Sequence, residues 1–150
     1  MIPLSIVCLF CEDIREEKSN QDTLVGILPQ NMNVPSMPGT LGKLGMYIRV
    51  NCDVSHVPKK IRFRLSVPGI AEEIIIGTAD ETLLQQGKNE AISLKLPLAG
   101  YIIKGAITPL PIQQAGHVVM TAEVDGEDYP CGILNITVAP TITAATATSG

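Results

Sequence analysis

Aromatic side chains are scarce in this chain: two Phe, three Tyr and no Trp among 150 residues. A core without large rings has to be filled by Ile, Leu and Val, and the β-branched members of that set favour strands. Charge is thin as well, at 17%, yet hydrophobic residues reach 45%, which excludes a disordered body. No apolar run approaches 18 residues, so no segment reads as a membrane-spanning helix and a membrane is not an expected partner. Basic residues do not dominate: 11 Lys and Arg against 15 Asp and Glu give a net charge of −4. Without a broad basic surface, nucleic acid is not an expected partner either.

Chemical motifs are also missing. The chain contains no Gly-x-Ser-x-Gly, no phosphate-binding loop, no His-Glu-x-x-His and no EF-hand spacing. No cofactor, metal or catalytic set is therefore expected. The opening stretch "MIPLSIVCLFCED" lacks the basic start and small-residue cleavage site of a secretory signal. The expectation is a cytoplasmic protein, or one carried in a virion, with four reduced cysteines.

Period-two alternation is what the sequence does have. In "KKIRFRLSV", Ile61, Phe63, Leu65 and Val67 share one face, while Arg62, Arg64 and Ser66 share the other. "LSIVCLFC" is apolar on both faces, as a central strand is, and "DTLVGILPQ" and "KLGMYIRVNC" read as further strands. Pro68-Gly69 suggests a two-residue turn into "IAEEIIIGTA", pairing Phe63 with Ile74 and Arg64 with Glu73. "AISLKL" and "YIIKGAI" read as two short strands, and "ADETLLQQGKNE" as either one helical turn or a polar loop. "HVVMTAEV" and "YPCGILNITV" flank an Asp125-Gly126 turn. Seven to nine strands without a convincing amphipathic helix predict an all-β fold. The expectation is an antiparallel β-sandwich, Ig-like or a related Greek key, with a small β-barrel as the alternative. Residues 1–138 form this single domain, and the uncharged Ala/Thr-rich 139–150 is a tail or arm.

Four groups of residues are candidates for chemistry. Cys8 and Cys11 have Cys-x-x-Cys spacing, but positions i and i+3 of a strand point to opposite faces, so these thiols diverge. Cys52 and Cys131 stand alone. The segment 12–22 carries Glu12, Asp13, Glu16, Glu17 and Asp22 against Arg15 and Lys18. Glu12 shares the inward parity of Cys8 and Phe10, so a buried ion pair with Arg49, Arg62 or Arg64 is expected. Lys59, Lys60, Arg62 and Arg64 form a basic cluster that can face Glu72 and Glu73, or the 12–22 acids of another copy. Asp13, Glu16, Glu17, Lys59 and Lys60, with Met32, Val34, Met37 and Leu41 of the loop 29–42, make up the candidate interaction surface. His56 and His117 lie beside turns with no nucleophile motif nearby, and the acids 123–128 read as a polar turn.

The run Cys11-Glu12-Asp13-Ile14-Arg15, followed by Leu24-Val25-Gly26, resembles an uncharacterised family of small bacterial and phage proteins. The similarity extends through "KLGMYIRV", "IRFRLSVPG" and "VDGEDYP". The resemblance implies one β-sandwich domain and a bacterial or viral origin, with no catalytic residues to carry over. Residues and resemblance together lead to a non-catalytic interaction or structural module. It would work by protein–protein contacts, self-assembling or decorating a larger assembly such as a virion. The alternatives are a soluble regulator of one protein partner, and a small hydrolase or ligand-binding enzyme with His56 or His117 beside acids in a pocket.

Overall fold

The computed structural model describes residues 4–139. The expected 139–150 arm therefore lies, from residue 140 onward, outside the described residues. Strands β1 (Leu4–Glu16), β2 (Asp22–Ile27), β5 (Leu44–Asp53) and β8 (Leu98–Ile107) make a four-stranded sheet in the order β2-β1-β5-β8. Strands β3 (Asn31–Val34), β6 (Ile61–Ser66), β7 (Ile74–Ala79), β10 (Gly116–Val124) and β11 (Glu127–Val138) make a five-stranded sheet, ordered β3-β11-β10-β6-β7. Strands β4 (Gly39–Leu41) and β9 (Leu110–Ile112) pair as a small ribbon. One helix, α1 (Glu81–Ser93), joins β7 to β8.

Alternation is what makes these strands a sandwich. Leu44, Met46, Ile48, Val50 and Cys52 of β5 are buried, as are Ile61, Phe63 and Leu65 of β6 and Val118, Met120 and Ala122 of β10. The two inward faces form one core, with no buried charged side chain among the described residues. The all-β sandwich is thus as expected, and no sheet closes into a barrel. It is not purely antiparallel: β3 runs parallel to β11, with Asn31 opposite Asn135.

Three local expectations need correction. "ADETLLQQGKNE" and the start of "AISLKL" form α1, and the segment read as a strand is the helix end and its exit. Asp80 caps the helix by accepting from Leu83 N–H at 2.9 Å. At the other end Lys95 N–H donates to Ile92 O and Leu96 N–H to Ala91 O, a Schellman closure with Lys95 at φ 57° where glycine is usual. The alternation of Ile92, Leu94 and Leu96 mimics a strand because the chain reverses there with these side chains exposed. The loop 29–42 contains β3 and β4, which take up half of its residues, one at the edge of the five-stranded sheet and one in the ribbon.

The hairpin register also differs. Val67 O accepts from Ile70 N–H across Pro68-Gly69, as expected, but residues 71–73 then leave the ladder. With a bulge at Phe63/Arg64, Leu65 faces Ile74 and Arg64 faces Ile75. The Asp125-Gly126 turn matches its expectation, with φ of 48° and 88° and Val124 opposite Glu127.

Candidate functional site

The acidic stretch at the end of β1 is bent by its partner. Gly26 of β2 adopts φ 64°, and a Cβ there would lie 2.7 Å from the Glu12 carboxyl carbon. Beyond this point the β1–β2 hairpin folds over the outward side of the four-stranded sheet. Lys104, on the outward side of β8, reaches Asp22 at 2.9 Å and Glu16 at 3.4 Å. Ile14 and Cys11 pack over Gly45, where a Cβ would sit 2.9 Å from the Cys11 sulfur. Cys11 is buried on this outer side, whereas Cys8 packs into the core against Gly132. Burial raises the Cys8 and Cys11 thiols above their ordinary pKa and pushes Cys131 up to about 11. All four cysteines are free, and none is an activated thiolate nucleophile of the kind redox catalysis needs.

Glu12 does not form the buried ion pair expected of it. It is exposed, because β1 has run past the end of the core, and its inward-parity side chain faces a groove at the rim shared with Leu28, Met32, Leu41 and Lys43. The ion pair exists elsewhere. Arg64 Nη1 donates to Glu123 at 2.6 Å, Nη2 to Asp128 at 2.9 Å and Nε to Glu73 at 3.4 Å. Arg62 adds a 3.3 Å contact to Glu123. Hydrogen bonding to Asp128, first among its causes, raises Arg64 further above the arginine range and holds Asp128 below the carboxylate range. Arg49, the third expected partner, is exposed on the opposite side of the sandwich and makes no ion pair among the described residues.

Part of the expected interaction surface is engaged from within. Asp13 pairs with Lys43, Glu16 with Lys104, and Glu17 accepts from Thr23. The Lys59 and Lys60 backbone N–H groups are held by Asp125 at 3.0 and 2.9 Å. Val34 is buried, and Met32, Met37 and Leu41 are partly buried against the core, with Met32 and Leu41 also lining the rim groove. Arg62, Arg64, Asp13, Glu16 and Asp22 thus find ion-pair partners in the same chain, while the Lys59 and Lys60 ammonium groups make no ion pair among the described residues.

His56 lines an open depression of about 420 Å³ with Asp125, Glu127 and Tyr129. Next to it, Ser55 Oγ donates to Asp53 Oδ1 at 2.6 Å and lies 2.9 Å from His56 Nδ1. This trio is not wired for nucleophilic catalysis. Hydrogen bonds from Ser55 hold Asp53 below the usual carboxylate range, so it is ionised and accepts the one hydroxyl proton. That proton is directed away from the imidazole, the reverse of an activated serine.

On the five-stranded sheet the outward side carries the Arg64 network, the Asn135–Asn31 bond and the Thr137–Asn33 bond, beside exposed Ile75 and Ile133. On the four-stranded sheet the outward rows are Ser5–Asn51–Gly100, Val7–Arg49–Ile102 and Leu9–Tyr47–Lys104. Val7 is 49% exposed, Leu9 38% and Ile102 48%. Ser5, Val7, Leu9, Tyr47, Arg49 and Asn51 line a shallow groove of about 300 Å³. Sequence reasoning misses this face because "LSIVCLFC" reads as apolar on both sides, the pattern of a central strand.

Comparison with protein-family models, with curated proteins and with solved structures finds no match. Among the described residues no helix is long and apolar enough to cross a membrane.

Proposed function

We propose that this chain is a non-catalytic β-sandwich module that works through protein–protein contacts and builds, or decorates, a multi-copy assembly. One observation carries the reading: the outward side of the four-stranded sheet presents Val7, Leu9 and Ile102 to solvent around Arg49, which has no ion pair among the described residues. An antiparallel sheet facing only water normally turns polar residues outward. Contiguous apolar exposure on such a face marks a contact surface. The resemblance to small bacterial and phage proteins supports a virion or related structure as the specific setting.

Light scattering of the full chain tests this. A mass above the 16.0 kDa of one copy, rising with concentration, is expected. A single-copy mass throughout contradicts self-assembly. The same measurement on a chain ending at Val138 tests the arm: unchanged assembly removes any role for the segment after it.

A further inference from the structure

The exposed face has a shape and a charge pattern that select one occupant. Its middle row is small and polar, Ser5–Asn51–Gly100. On one side of that row lie Arg49 and Ile102; two residues to the other side lie Asp53 and Leu98, opposite each other in the ladder. Arg49 makes no ion pair among the described residues. Asp53 receives both its Ser55 hydrogen bonds on Oδ1, leaving Oδ2 without a partner among the described residues. Ile102 and Leu98 are each 48% exposed.

The bent β1–β2 hairpin limits how two such faces meet. It stands over the end of the sheet where Gly45 and Lys104 lie. A two-fold axis parallel to the strands brings both hairpins to the same end, where they collide. A two-fold axis across the strands sends them to opposite ends and lets the faces close. Placed along the middle row, that axis sets each Arg49 over Asp53 of the other copy and each Ile102 over Leu98.

We propose that the occupant is a second copy of this chain, docked face to face through β1, β5 and β8 with Arg49 and Asp53 paired reciprocally. This deepens the assembly reading above and rests on it. The pairing is isologous, so one patch serves both sides, and stacked sheets pack at about 10 Å. Strand spacing and rise give three strands over seven residues a flat area of about 330 Å² per copy. That is less than the ~800 Å² per partner of a standard interface, so the dimer is a weak one, with dissociation in the micromolar range.

Sedimentation velocity over a concentration series tests the pairing with Arg49→Asp, Asp53→Arg and the double exchange. Each single change puts like charges together and is expected to weaken the dimer by about tenfold or more, and the double exchange to restore it. Arg49→Gln and Asp53→Asn, with circular dichroism as the folding check, serve if a reversed charge does not fold. A dimer indifferent to both single changes overturns this inference and leaves self-assembly standing on another face. A wild-type chain that stays a single copy at about 100 µM, where micromolar contacts are populated, overturns both.

Discussion

A methyl group added at Gly87 would lie 2.2 Å from Cε1 of Tyr101, well inside van der Waals contact. Glycine in the middle of α1 costs helix propensity of about 1 kcal/mol relative to alanine, yet it lets the Tyr101 ring lie against the helix with its hydroxyl donating to Leu84 O. Gly87→Ala is therefore expected to destabilise the protein by about 1–3 kcal/mol despite the better helix former, read by urea unfolding. The same glycine made the helix illegible from sequence, because "LLQQGKNE" lacks a clean apolar stripe; only Leu84 and Ala91 of α1 are buried. Cysteine chemistry was more legible. Opposite projection at i and i+3 correctly separated Cys8 from Cys11, and burial holds the Cys8, Cys11 and Cys131 thiols above their ordinary range. Native protein at neutral pH is expected to resist alkylation by iodoacetamide, with all four cysteines labelling only on unfolding; fast native labelling of Cys131 contradicts this.

The polar ladder on the five-stranded sheet ties β6, β10 and β11 together through Arg64, Glu123 and Asp128. Asp128 titrates below its ordinary value of 3.8 chiefly because it accepts from Arg64, and Asp13 does so chiefly because it accepts from Lys43. A carboxylate depressed in the folded state contributes stability that is complete above its unfolded pKa and is lost as pH falls through the folded one. Stability is thus expected to hold from neutral pH down to about 5 and to decline below about 4. Asp128→Asn should flatten part of that decline, measured as thermal midpoint against pH; an unchanged profile contradicts the coupling. Strand β6 was legible because its inward residues alternate without interruption, and so was the Asp125-Gly126 turn. The partner of Arg64 was only half legible. Glu73 is local in sequence, while Glu123 and Asp128 come from a hairpin some 60 residues away. Glu12 misled for a related reason: parity gives the side a residue faces, but not where the core beneath it ends.

At the scale of the molecule, the outward side of the four-stranded sheet sets Val7, Leu9 and Ile102 around Arg49, and this face can be read only when β1, β5 and β8 are placed side by side. Val7 and Leu9 belong to one apparently two-sided strand, and Ile102 comes from a segment about 90 residues later. No pattern within either segment tells that their outward sides form a common surface. That surface, with Arg49 at its centre, carries the functional account. Ile102→Asp tests it most directly, because it puts a charge in the middle of the face without touching the core. In sedimentation velocity the wild-type chain is expected to sediment faster as concentration rises, while Ile102→Asp should stay at the single-copy value with its β-sheet spectrum intact. A variant that self-associates as the wild type does would contradict the assignment of this face as the working surface.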